Sequence, residues 1–158
     1  MRRLSTFALV ISLGALAASC GKSGGESSTA PSQPAKPAPT AADMKAAQAS
    51  LPAPYNTADL TNGAAKFALC ASCHSIAPDG PNLTGPHLHG VVGRKAGSLS
   101  DYNYSYPLKA SGIVWDGASL DRWLTDPRAD VPGTKMTFIG LKDAKDRTDI
   151  IAYLMVNK

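Results

Sequence analysis

Apolar residues recur at helical spacing in three well-separated parts of the chain. In TADLTNGAAKFALCASC, Thr57 to Cys73, residues Leu60, Ala64, Phe67 and Leu69 form a loose stripe, and Thr57 or Asp59 is placed to cap it. In DGASLDRWLTDP, Asp116 precedes Leu120, Trp123 and Leu124 at i, i+3 and i+4, and Pro127 marks the stop. The last stretch, about Ala144 to Val156, sets Ile150, Ile151, Leu154 and Met155 on one face and Lys145 and Arg147 on the wet side. Ser75 to Gly112 is dense in Gly, Pro, Asn and Asp, which predicts turns, with one short helix around Tyr106–Ala110. No segment sustains the alternation of a strand. The pattern predicts a small, loop-rich, all-α domain. Its apolar side chains are few for its size, so a staple or a large apolar cofactor has to complete the core.

The chain begins differently. Arg2 and Arg3 lead into the apolar run LSTFALVISLGALAA, Leu4 to Ala18, the charge-then-apolar layout of an export signal. At about 15 residues the run falls short of the roughly 20 that a spanning helix needs. It ends in LAASC, which resembles the lipobox of bacterial lipoproteins, with Cys20 as the lipidated residue. Leu16 stands four positions before that cysteine, where a lipobox has its leucine three before. A lipoprotein-type signal over 1–20 is the leading expectation. Ordinary cleavage and an uncleaved N-terminal anchor are the alternatives.

Residues 21–54 are dominated by Gly, Ser, Pro and Ala, with almost nothing large and apolar to bury. Such a segment cannot offset its ordering entropy and is expected to be a disordered linker. As a flexible coil it has an r.m.s. reach of roughly 30–35 Å, which behind a lipidated cysteine makes a tether. Residues 55–158 are left for the folded domain.

The whole chain carries 16 Lys and Arg against 12 acids. Arg2, Arg3, Lys22, Lys36 and Lys45 precede Tyr55, as do Glu26 and Asp43, so the domain holds 11 bases and 10 acids. A net charge of +1 without a basic cluster argues against nucleic-acid binding.

The candidate chemistry sits in CASCH, where Cys70 and Cys73 lie three apart and His74 follows at once. Three readings compete. A structural zinc site needs four ligands, and the domain offers only His87 and His89 besides, one residue apart. A redox dithiol of the thioredoxin type expects a βαβ context that the pattern lacks. Covalent haem uses every residue: two thiols one helical turn apart take the two vinyl groups, and the histidine becomes an axial ligand. Of the remaining methionines, Met44 falls in the linker and Met155 on the apolar stripe of the last helix. Met136 stands in the turn-rich VPGTKM, where an irregular backbone can present a thioether to iron.

With CASCH, NLTGPHLHGVVGRKAG (Asn82–Gly97), GIVW (Gly112–Trp115), WLTDPRADVPGTKMTFIGLKD (Trp123–Asp143) and DIIAYL (Asp149–Leu154) in this order, the domain resembles a class I c-type cytochrome, close to the mitochondrial type. The resemblance covers nearly all of Thr57 to Asn157. It implies the class I cytochrome c fold around one covalently attached haem c. Cys70 and Cys73 would hold the vinyls, with His74 as proximal and Met136 as distal iron ligand. Pro86 would accept a hydrogen bond from the His74 ring through its carbonyl. Arg94, Tyr104, Trp115 and Thr134 match residues that bind or neutralise the haem propionates. Gly63 and Phe67, with Ile150, Tyr153 and Leu154, would form the contact between the first and last helices. His89 matches a backbone-bonded structural histidine.

Two departures stand out. Trp123 replaces a tyrosine that bonds the methionine sulfur in mitochondrial members, and the ring of lysines those members show their partners is thin. Two propionates would bring the domain to a net charge of about −1, so steering onto an acidic partner is expected to be weak. The implied function is a monohaem one-electron carrier between respiratory complexes, not an enzyme, on the periplasmic side of a bacterial membrane. Its partners would be donor and acceptor redox proteins and, through Cys20 or an N-terminal anchor, the membrane. No small-molecule substrate is implied, and the expected solution state is a monomer. The rival readings are a haem enzyme or gas-binding protein in which Met136 dissociates, and a fixed electron-entry subunit of a larger redox complex.

Overall fold

A computed structural model describes residues 37–158. The expected signal, Cys20 and the first part of the expected linker lie outside the described residues. The described residues form six α-helices in chain order: α1 (Ala41–Ala49), α2 (Leu60–Ala71), α3 (Tyr106–Ala110), α4 (Gly117–Thr125), α5 (Pro127–Asp130) and α6 (Ala144–Val156). A 3-10 turn at Tyr55–Thr57 precedes α2. The described residues form no strand, only the isolated bridges His74 with Asn82 and Lys95 with Val114. The fold is all-α, as the apolar pattern predicts.

Local chemistry sets the helix ends. Asp59 caps α2 by accepting from the N–H groups of Thr61 and Asn62. Asp116 and Ser119 form a reciprocal capping box at α4. Asp126 caps α5, with Pro127 at its first position, and Asp143 caps α6. Ser105 caps α3 over the same five residues read from the sequence.

The main helix pairing is α2 against α6. Gly63 makes it: a Cβ there would overlap the Asp149 backbone of α6, so only glycine lets the two backbones come this close. Phe67 then packs on Tyr153, with ring centroids 5.7 Å apart. Ile150, Ile151 and Leu154 are buried beneath. Asp149 is 1% exposed. It accepts from Asp59 N–H at 2.9 Å, Asn62 Nδ2 at 2.7 Å and Lys145 Nζ at 2.6 Å, so the buried carboxylate is fully partnered.

One expectation is overturned. Residues 41–49, read from their composition as linker, form α1, and α1 packs against α6 and the 3-10 turn. Thr40 and Asp43 make a capping box at its start. Gln48 is buried and donates to Tyr55 O at 3.1 Å and Ala58 O at 2.6 Å. Leu51 joins the edge of the core. Alanine-rich composition lacks bulk to bury but is the best intrinsic helix former, and one glutamine bonded to two backbone carbonyls gives the helix a seat. The folded domain therefore begins near Thr40, not Tyr55. No helix among the described residues is long and apolar enough to cross a membrane.

Candidate haem site

The C-terminal turn of α2 carries Cys70 and runs directly into Cys73 and His74, whose backbone N–H groups both bond back to Cys70 O. The two sulfurs thus lie one turn apart on the wall of a cavity of about 470 Å³. That volume is within the roughly 300–1,000 Å³ usual for ligand and cofactor sites. Cys70, Cys73, His74, Pro86, Arg94, Tyr104, Trp115, Thr134 and Met136 all border it.

The segment after His74 wraps around the imidazole. Gly85 N–H bonds Cys73 O at 2.7 Å and Leu88 N–H bonds Ser75 O at 2.8 Å. A Cβ at Gly85 would overlap the His74 ring, so this glycine lets the strap lie flat against the imidazole. His74 Nδ1 is 2.7 Å from Pro86 O. A proton on Nδ1 leaves the lone pair on Nε2, the tautomer an iron ligand needs. Burial lowers the His74 pKa against the opposing pull of that hydrogen bond, so the ring is neutral at pH 7.

A second short ladder sets the polar end. Gly93 N–H bonds Trp115 O at 2.7 Å and Trp115 N–H bonds Arg94 O at 2.9 Å, which ties Arg94 to Trp115 through the main chain. The Arg94 guanidinium is half-buried and donates to His87 O at 2.7 Å and His89 O at 3.4 Å. Among the described residues no carboxylate pairs with it. A cation held at a cavity wall without an anion fits a ligand that brings carboxylates. Burial lowers its pKa, but a guanidinium stays charged. Tyr104 is buried beside it, stacked edge-on against Tyr102 at 4.7 Å.

On the remaining side, α5 ends in the loop that presents Met136. Thr134 N–H bonds Val131 O at 3.1 Å, and Thr134 Oγ1 accepts from Met136 N–H at 3.2 Å. Lys135 Nζ donates to Asn103 O at 3.0 Å, so the residues leading into the methionine are held. Trp123 also borders the cavity, in a T-shaped contact with Trp115 at 5.3 Å.

These features fit a haem bound through two thioethers, and they disfavour the rival readings. Burial, and secondarily Cys73, push the Cys70 thiol up to about 11. Reactive dithiols need the opposite shift. Among the described residues no cluster of three or more His, Cys, Asp or Glu could hold a metal ion. His87 and His89 do not border the cavity. The hydrogen bond expected of His89 is not made at Nδ1, which is buried without a partner. What the sequence reading missed is the bracing around the strap. Asn82 accepts from His87 N–H at 2.9 Å and donates to Asp101 at 2.9 Å, and Tyr102 Oη donates to Thr84 O at 2.6 Å. Side-chain-to-backbone bonds between two loops leave no periodic trace by which they could be found.

The family model of cytochrome c matches residues 60–158. A cytochrome c2 of Rhodoplanes tepidamans is 47% identical over 96 residues, 61% of this chain and 90% of the relative. A cytochrome c of Gibberella zeae is 50% identical over 97 residues, 61% of this chain and 92% of the relative. The solved structure of cytochrome cH from Methylobacterium extorquens is 49% identical and superposes with a TM-score of 0.57 over 61% of this chain and 96% of that one. The CASCH helix end, the strapped imidazole and these relatives lead to one conclusion: the chain belongs to the cytochrome c family and carries one covalently bound haem c.

Proposed function

We propose that this cytochrome c is a closed, six-coordinate carrier of single electrons between respiratory complexes, such as a quinol–cytochrome c reductase and a terminal oxidase. Membership of an electron-carrier family supports the general statement. The observation that supports the closed form is the meeting of the His74 imidazole and the Met136 thioether at one cavity with the two thiols. Bound haem c supplies a one-electron ferric–ferrous couple, whose potential a thioether ligand raises. The rest is done by the chain. Cys70 and Cys73 hold the macrocycle by thioethers, and the Pro86 carbonyl holds the His74 ring in the ligating tautomer. The loop held at Thr134 and Lys135 would present the Met136 thioether as the second iron ligand. Arg94, Tyr104, Trp115 and Thr134 receive the propionates.

We further propose export to the periplasmic side of a bacterial membrane, the site of c-type haem attachment, with Cys20 or an uncleaved signal as the tether. Because α1 is part of the domain, the expected linker behind Cys20 ends before Ala41 and not at Pro54.

The test mixes the reduced holo-protein with a purified bacterial terminal oxidase. Oxidation of one electron equivalent per haem supports the carrier. Failure to be oxidised, with turnover of peroxide instead, overturns it in favour of an enzyme whose Met136 leaves the iron.

A further inference from the structure

The opening of the haem cavity is framed by uncharged side chains. Leu69, Ser72, Thr84 and Thr137 border the cavity and are exposed. Leu69 is 56% exposed. Leu83 and Ile139, next along the chain to cavity-bordering residues, are 48% and 83% exposed. Among the described residues two permanently charged side chains border the cavity, and each is bonded to backbone carbonyls. Arg94 donates to the His87 and His89 carbonyls, and Lys135 donates to Asn103 O. Nearby Lys142 is bonded to Thr125 O at 2.9 Å.

We infer that this rim docks an uncharged, apolar patch on the electron-transfer partner, and that the encounter proceeds without long-range electrostatic steering. The inference rests on the carrier reading and specifies its partner. An acidic partner patch would find only Lys135 and Lys142 here, each already donating to a backbone carbonyl, and would lose hydration of its carboxylates against leucine and isoleucine. A neutral apolar patch loses nothing of that kind and gains by removing Leu69, Leu83 and Ile139 from water. The near balance of 11 bases and 10 acids over residues 55–158 supplies no distant field to substitute for local charge.

The experiment follows oxidation of reduced holo-protein by washed membranes of the organism that encodes the chain, from about 10 mM to about 0.3 M ionic strength, across which charge steering is screened out. Hexacyanoferrate(III) serves as a small acceptor that needs no docking patch. Wild-type kcat/KM with membranes is expected to change by less than about twofold over this range. Ile139→Ser and Leu83→Ser are each expected to lower it about threefold to tenfold at every salt concentration, as for loss of an interface contact, while hexacyanoferrate oxidises all three proteins alike. A fall of about tenfold or more with salt, or Ser variants equal to wild type, overturns the apolar rim. Oxidation by hexacyanoferrate but not by membranes overturns it as well. Failure with both acceptors sinks the carrier reading instead.

Discussion

His74 shows how much a single residue depends on its neighbours. Its ring is flanked by Gly85, where any Cβ would overlap it, and its Nδ1 is bonded to Pro86 O. Gly85→Ala is therefore expected to push the imidazole out of line and cut the yield of holo-protein severalfold, read from haem absorbance per protein. Recovery of wild-type yield and spectrum would show that the strap yields instead. Trp123 is a second case. Buried and edge-on to Trp115, it packs the cavity wall, and Trp123→Ala is expected to destabilise the holo-protein by about 3–5 kcal/mol in denaturant titration. The proposed ligand set could be read from CASCH and VPGTKM because covalent and metal-ligand chemistry fixes residue type and spacing. Asn82, Tyr102 and Gly85 could not, since what they do depends on which loop happens to lie beside them.

At the scale of elements, α2 and α6 are joined by a buried carboxylate. Burial tends to raise the Asp149 pKa, but bonds from Lys145, Asn62 and Asp59 N–H outweigh it and hold the group below its ordinary 3.8. Asp146 is likewise held low, by Asn62 and Lys66. A depressed folded-state pKa means stability that is complete above the ordinary carboxylate value and lost as pH falls through the lowered one. Denaturation of the holo-protein should therefore be flat from pH 7 down to about 5 and weaken steadily below about 4. An undiminished midpoint at pH 3 would contradict the network. Asp149→Ala leaves Asp59 N–H without its acceptor and Asn62 Nδ2 with Asp146 alone, and is expected to cost about 2–4 kcal/mol.

Helix periodicity located α2, α3, α4 and α6, because each has a capping residue and, in the longer three, an apolar stripe. It passed over α1, whose seat is one glutamine. Beginning the chain at Pro52 would remove both Gln48 bonds and the Leu51 contact, for an expected loss of about 2–3 kcal/mol. An unchanged unfolding midpoint would show α1 to be ornamental.

For the whole molecule, the haem is part of the core. Without the haem, Leu120, Leu124, Ile150 and Leu154 would line an open cavity of about 470 Å³ filled by water, a loss of apolar burial that is large against the roughly 5–15 kcal/mol by which a whole domain is stable. The Cys70→Ser, Cys73→Ser double variant, expressed without attached haem, is expected to show neither cooperative unfolding nor native helix content by circular dichroism. The shortage of apolar residues in the sequence already pointed to this missing core. The fold was readable because three stripes and one attachment motif agree on it. The neutral rim was not, since exposure of Leu69 or Ile139 follows only from the completed packing.

The most direct test of the account is an optical spectrum of the holo-protein over residues 37–158, recorded oxidised, reduced, and reduced under carbon monoxide. A closed site with His74 and Met136 on the iron predicts a c-type reduced spectrum, a far-red sulfur-to-ferric-iron band that vanishes in Met136→Ala, and no change with carbon monoxide until that methionine is removed. A rapid carbon monoxide shift in the wild-type protein, or a far-red band that survives Met136→Ala, would contradict it.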